Sequence, residues 1–402
     1  EQRLLQSGRE GVEETTYLVR LEDGREVART VLLRRVVEEP RDEIVAVGTV
    51  GEAAEMEFAG TVVYLAQGNA WVMRGSRAAE RPLTLSGDLD GRVFELSPDG
   101  GTLLLSRRGG EGQLNSLWLL STQMVGGEPV PLHLENVLVA RWSPDGTKVA
   151  YSTGEPTEGT PGWRAANDLW VVDIDGRTPA RQVMPARCVS AYCWWGLDLA
   201  WTADGERLVV SDPGSLRVVG AVSGEEALLL SYPPVRTHSS WAWVPSVSVH
   251  PAGILAVFAW HVAEEGSGVP EESPVFHVAL VNLEDGRAAA LVEDVGMWSR
   301  PALSSPSPEG TVHLAYAVAE VPGASANSPY SLWVADADGD RARQAYPPGS
   351  GGGAAIADFA WSPQADAVVF IAHGAVRMYE LSSGRLADLT GAVSASRVQW
   401  GS

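Results

Sequence analysis

Lysine is nearly missing from this chain. Lys148 is the single lysine among 30 basic residues, and 51 aspartates and glutamates outnumber them, for a net charge of −21. Phosphate recognition needs clustered cations, so this balance speaks against nucleic-acid binding and against docking on anionic lipid. The preference for arginine reads as the codon bias of a GC-rich genome and not as function. Long apolar runs are missing as well. No stretch of about 18 apolar residues exists, so no membrane insertion is expected in this segment. No signal peptide opens at Glu1, and the abrupt start leads us to expect that an upstream leader or anchor has been removed.

Cysteine is scarce, with two copies, Cys188 and Cys193, in ARCVSAYCWW. Two thiols alone make a poor metal site. They are either free or joined. We expect a disulfide, which would close a small loop and add about 2 kcal/mol by the chain-entropy estimate. The seven histidines (133, 238, 250, 261, 277, 313 and 373) are scattered. No HExxH, no paired His/Asp spacing and no Cys/His nucleophile arrangement occurs, and no G-x-S-x-G elbow leads into a helix. We therefore expect no metal, no cofactor and no catalysis. The alternative is a glycosidase pair drawn from loop carboxylates.

What is present is a repeat. Ala140–Ser152 (ARWSPDGTKVAYS) reads as a strand, a Pro-Asp-Gly turn and a second strand. Related units are Glu95–Ser106, Leu199–Ser211, Val247–Phe258, Leu303–Tyr316 and Phe359–Ile371. Intervals of roughly 40 to 60 residues point to an array or propeller. Each unit is followed by a third strand, strongest in NAWVM (69–73), SLWLL (116–120), DLWVVD (168–173) and SLWVAD (331–336), and weaker at 216–219, 276–281 and 376–379. A short fourth strand follows, as at 81–85, 130–132, 181–184, 227–230 and 386–389. Four antiparallel strands make a propeller blade.

Counting sets the blade number. Second and third strands each occur seven times, while first strands before a turn occur six times. The seventh first strand is Ser396–Trp400 at the end of the chain. Pairing it with Thr61–Leu65 removes both open edges. The expectation is an all-β fold with a seven-bladed β-propeller closed by the C-terminal strand, six blades being the alternative, over residues 52–402. Residues 1–51 form a separate module. There, Thr15–Arg20 and Glu26–Glu38 flank the turn Glu22-Asp23-Gly24-Arg25 and predict an extended ribbon with too few apolar residues for its own core. Glu52–Phe58 reads as a connector with helical character.

Two resemblances sharpen this. The first segment is similar to the G5 domain family through Gly8, Gly11, Tyr17, Gly24, Glu39-Pro40 and Val47-Gly48-Thr49, matching the later part of the family pattern with its first strand missing. That likeness implies an extended β-module of bacterial surface and wall-associated proteins, with N-acetylglucosamine binding suggested for the family; a plain spacer is the alternative. The repeats resemble TolB-like, WD-like (PD-type) propellers through SPDG followed by an apolar strand and LWVVD. That implies the fold and little about activity.

The long loops should gather at one end of the propeller. They are 153–167, 261–274 and 320–330 within blades, and 185–197, 236–245 and 294–300 between blades. Of 15 tryptophans, eight sit in repeat strands (71, 118, 142, 170, 201, 333, 361 and 400). The other seven are Trp163, Trp194, Trp195, Trp241, Trp243, Trp260 and Trp298, at or just inside the long-loop end. With Tyr192, His238 and the carboxylates Glu155, Glu158, Glu264, Glu265, Glu293 and Asp294, they suit sugar stacking or a protein hot spot. The alternative is that the indoles pack loops over the channel mouth. The candidate ligand contacts are Trp163, Tyr192, Trp194, Trp195, His238, Trp241, Trp243 and Trp298. The expected function is an exported, non-enzymatic envelope protein whose long-loop face binds a glycan or peptidoglycan fragment, with a protein-interaction scaffold as the competing class. DxDG stretches such as 173–176 read as hairpin turns rather than calcium loops.

Overall fold

Six hairpins of related pattern, each joining an innermost strand to the second strand of its blade, set the architecture. The computed structural model describes residues 2–6, 8–41, 44–47, 57–188, 192–263, 268–349 and 352–402. In the hairpin 137–156, Ser143 Oγ donates to Asp145 at 2.5 Å and accepts the amide of Lys148 at 2.9 Å, while Asp145 accepts the amide of Thr147 at 3.0 Å. Gly146 sits at φ +68°, a conformation open to glycine. Ser97/Asp99, Thr202/Asp204 and Ser362/Asp366 repeat the hydroxyl-to-carboxylate bond. In the fifth blade His250 stands in for the serine, and its Nδ1 accepts the amide of Ala252 at 3.1 Å.

Each hairpin opens an antiparallel sheet, the pair Ala395–Gly401 and Glu57–Ala66 opens a seventh, and the sheets are blades of four strands, one of them with a fifth added. The first blade joins Ala395–Gly401 to Glu57–Ala66, Asn69–Ser76 and Arg81–Pro82. Blades two to seven start on the innermost strands Leu89–Leu96, Val137–Trp142, Asp198–Trp201, Val247–Val249, Ala302–Leu303 and Ile356–Trp361. The ring closes as expected: Arg397 lies opposite Leu65, Val398 opposite Tyr64 and Trp400 opposite Val62.

Second strands read as apolar runs because both faces are covered by neighbouring blades; Leu103, Leu104, Leu105, Val368 and Val369 are fully buried. An apolar cluster fills every junction between adjacent blades. At the closing junction Val62, Tyr64, Met73 and Val398 meet Val369, Ile371 and Val376. Burying each such side chain is worth roughly 1.5–3 kcal/mol. Repeat tryptophans fix the offset between blades: the indole nitrogens of Trp142, Trp201 and Trp361 donate to the carbonyls of Glu95, Arg141 and Ala302 on the preceding innermost strands, at 3.0, 3.1 and 2.9 Å.

The amino-terminal module contains a ribbon of Val12–Glu22 and Arg25–Glu38 joined at Asp23-Gly24. All residues of this ribbon are exposed except half-buried Thr15, in keeping with its thin apolar supply. Gln2–Gln6 pairs with Ile44–Val47, strands that the sequence pattern left unassigned.

Two expectations change. Glu57 and Phe58 belong to a strand and not to a helical connector; residues 52–56, with the expected boundary near 52, lie outside the described residues. The stretch 153–167 is not a simple loop, because Lys148–Pro156 runs on and pairs with an added strand, Trp163–Ala165. Trp260, expected just inside the long-loop end, lies near the end of Leu255–Val262, half-buried beside Phe258.

Candidate functional site

The innermost strands surround a cavity of about 690 Å³ that opens among the long loops. Its wall mixes indoles with charge: Trp163, Trp195, Trp243 and Trp298 together with Arg92, Arg141, Asp198, Arg300, Asp358 and Arg397. Period two explains the charges. Asp198, Asp358 and Arg397 each stand three places before the tryptophan of their strand, Arg141 stands one place before Trp142, and Arg300 precedes the strand Ala302–Leu303.

Most of these charges are engaged. Arg141 bridges Glu95 at 2.9 Å and Asp198 at 2.8 Å, tying the innermost strands of three successive blades. Burial works to lower the Arg141 pKa, but the carboxylates of Glu95, Asp198 and Asp358 outweigh it and hold the value above the ordinary one. Burial pushes the Glu95 carboxyl up, with Arg141 and Arg397 pulling the other way. Arg397 donates to the carbonyls of Gly91 and Arg92, both at 3.1 Å. Arg300 donates to the carbonyl of Ala357 at 2.6 Å and lies 3.7 Å from Asp358.

Arg92 differs. Its guanidinium lies 4.6 Å from the centroid of the Trp163 ring, and it makes no hydrogen bond or ion pair with the described residues. Burial lowers its pKa from the ordinary arginine value, partly offset by the charge of Asp90. The Ser246 hydroxyl, also on the cavity wall, is buried without a hydrogen-bond partner among the described residues.

The expected contact residues fall into three groups. Trp163, Trp194 and Trp195 form one cluster, with ring centroids 4.9 Å apart for Trp163–Trp195 and 5.4 Å for Trp194–Trp195. Trp163 stands on the added strand Trp163–Ala165, while Trp194 and Trp195 follow a loop in which Cys188 and Cys193 are joined and whose Arg187 (3.1 Å) and Cys193 (2.5 Å) carbonyls accept from Asn167. Trp241 and Trp298 form the second cluster, 5.6 Å apart, and Trp298 is 37% exposed. Trp243 is only 1% exposed; it packs on Phe276 and His261 and donates to the carbonyl of Met297 at 2.8 Å, so it holds the wall up from behind. The third group stands off the cavity. Tyr192 bonds Arg236, raising the Arg236 pKa together with Glu272, and His238 lies 3.6 Å from that glutamate. Of the loop carboxylates, Glu155, Glu158, Glu293 and Asp294 are exposed, while Glu264 and Glu265 lie outside the described residues.

The loop-centred reading missed the arginines and aspartates. Strand alternation could have found most of them. Arg92 follows no such pattern, because the register of its strand shifts between Leu89 and Phe94.

Comparison with known proteins agrees with both parts of the chain. Residues 1–50 match the G5 domain family. Among curated proteins there is no match. Among solved structures, a functionally unknown protein from Desulfotomaculum acetoxidans is similar at 11% identity, covering 85% of this chain and 99% of its own, with a TM-score of 0.51. A puromycin-hydrolyzing peptidase from Mycobacterium tuberculosis is similar at 15% identity and a TM-score of 0.51, with 80% of this chain and 49% of the peptidase covered. A protein described as TolB from Agrobacterium tumefaciens is similar at 16% identity and a TM-score of 0.42, covering 73% and 89%. At these identities the likeness is one of fold alone. The chain thus matches the G5 domain family over residues 1–50 and continues as a seven-bladed β-propeller, with a TolB protein among the structures it resembles.

Proposed function

We propose that this is an exported, envelope-associated, non-enzymatic binding protein whose central cavity takes a glycan at its long-loop end. The observation that carries this is the cavity wall. Half-buried Trp195 and exposed Trp298 line a space of about 690 Å³ together with charged and hydroxyl-bearing side chains. That volume lies within the range of about 300–1,000 Å³ usual for ligand pockets. Sugar rings present apolar C–H faces and a rim of hydroxyls, which is the chemistry such a wall complements. The G5 match and the Cys188–Cys193 bond support export, since disulfides persist in oxidising compartments.

Calorimetric titration with wall-derived and other oligosaccharides tests the reading. Saturable binding that weakens about tenfold or more in Trp195→Ala and in Trp298→Ala is expected. Binding unchanged in both variants, or no sugar binding alongside capture of one defined protein, would transfer the face to a scaffold role. Turnover of the titrated polysaccharide would make it an enzyme.

A further inference from the structure

Resting on that reading and going one step further, we infer that Arg92, laid on Trp163 in the cavity wall, is a receptor for the carboxylate of an acidic sugar. The argument begins with accounting for cations. Of the four arginines in the wall, Arg141, Arg300 and Arg397 spend their donors on carboxylates or backbone carbonyls. Arg92 does not, and among the described residues no carboxylate or carbonyl takes its guanidinium. A half-buried charge without a partner is unfavourable, and an incoming anion relieves it. Stacking on the indole holds the guanidinium plane in one orientation, so little freedom is lost when two parallel N–H groups meet a carboxylate.

The surroundings favour a carboxylate over a phosphate. Asp198 and Asp358 line the same cavity, and Glu95 lies next to Arg141. A group with one negative charge is repelled by these less than a phosphate carrying about −1.5 to −2. Asp90, the acid closest in sequence to Arg92, is occupied: it accepts the Arg92 amide and the side chains of Ser106 and Asn115. The unpartnered Ser246 hydroxyl gives the same cavity a further polar group for a sugar oxygen.

The test is titration of the full chain with hyaluronan tetrasaccharide, with its methyl ester, with the free-acid N-acetylglucosamine–N-acetylmuramic acid disaccharide, and with the methyl ester of that disaccharide. At least one acid is expected to bind about ten- to a hundredfold more tightly than its ester, the range of one charge-assisted pair. Arg92→Gln should remove that preference, so that acid and ester bind the variant alike, and Arg92→Lys should restore part of it. Because the Arg92 side chain makes no hydrogen bond with the described residues and only its stacking on Trp163 is lost, the melting temperature should fall by no more than a few degrees. Acid and ester binding alike to the native chain, or a preference that survives Arg92→Gln, overturns the inference and leaves glycan binding standing. Binding of neither form overturns both. A disaccharide carrying a phosphate monoester in place of the carboxylate forms a further arm, and tighter binding of that form overturns the choice of carboxylate.

Discussion

At the scale of single residues, Asp145 shows how a local network sets a chemical property. Hydrogen bonds from Ser143 and from the amide and hydroxyl of Thr147 hold its pKa at about 2, below the usual 3.8. A carboxyl depressed in the folded state stabilises it above pH 3.8, and that contribution fades as pH falls toward 2. Melting curves of native protein and Asp145→Asn should therefore lie furthest apart above pH 4 and converge near pH 2; a gap constant with pH would refute the assignment. This residue was legible from sequence because its partners lie within two positions of it. The Arg141 site was not, since its partners Glu95 and Asp198 are 46 and 57 positions away. They meet only because successive blades carry charge at related places on their innermost strands. Indoles were easier to notice than to place. Trp243 and Trp298 both looked like loop aromatics, yet one is packed behind the wall and the other is open to solvent.

At the scale of elements, the same hairpin turn serves two purposes. Gly100 and Gly146 occupy equivalent turn positions at φ +67° and +68°. A Cβ on Gly146 would meet nothing closer than Pro98 at 3.6 Å, whereas one on Gly100 would lie 2.2 Å from the carbonyl oxygen of Ser402. Gly146→Ala should cost about 1–2 kcal/mol, the penalty of a left-handed alanine. Gly100→Ala carries that same strain plus displacement of the closing strand, and should cost about 1–3 kcal/mol more. Chemical denaturation of the two variants reads the difference, and equal losses would mean that the closing strand does not seat on this turn. That strand was predictable from counting, because a ring with unequal numbers of first and second strands must borrow one. The added strand Trp163–Ala165 was not, since a three-residue pairing inside a long connection leaves no period to read.

At the scale of the whole molecule, charge becomes a kinetic matter. A net charge of −21 repels an acidic ligand at long range, while the arginines of the cavity act only near contact. Raising ionic strength from about 0.01 to 0.15 M shortens the screening length from about 30 to 8 Å. The association rate of an acidic sugar should therefore rise with salt over that range, as followed by stopped-flow tryptophan fluorescence. A rate that falls would indicate that the local arginine field reaches beyond the mouth and steers the ligand in.

The closing sheet has a mechanical corollary. Its two neighbouring strands run antiparallel, with Gly401 beside Thr61, so residues 57 and 402 leave the propeller from the same edge. Tension between those two points would peel the clasp one hydrogen bond at a time, a low-force way to open a circle. A load borne instead by a molecule seated in the hub would spread over several spokes at once, and the wheel would resist it far better than it resists being pulled by its own tails.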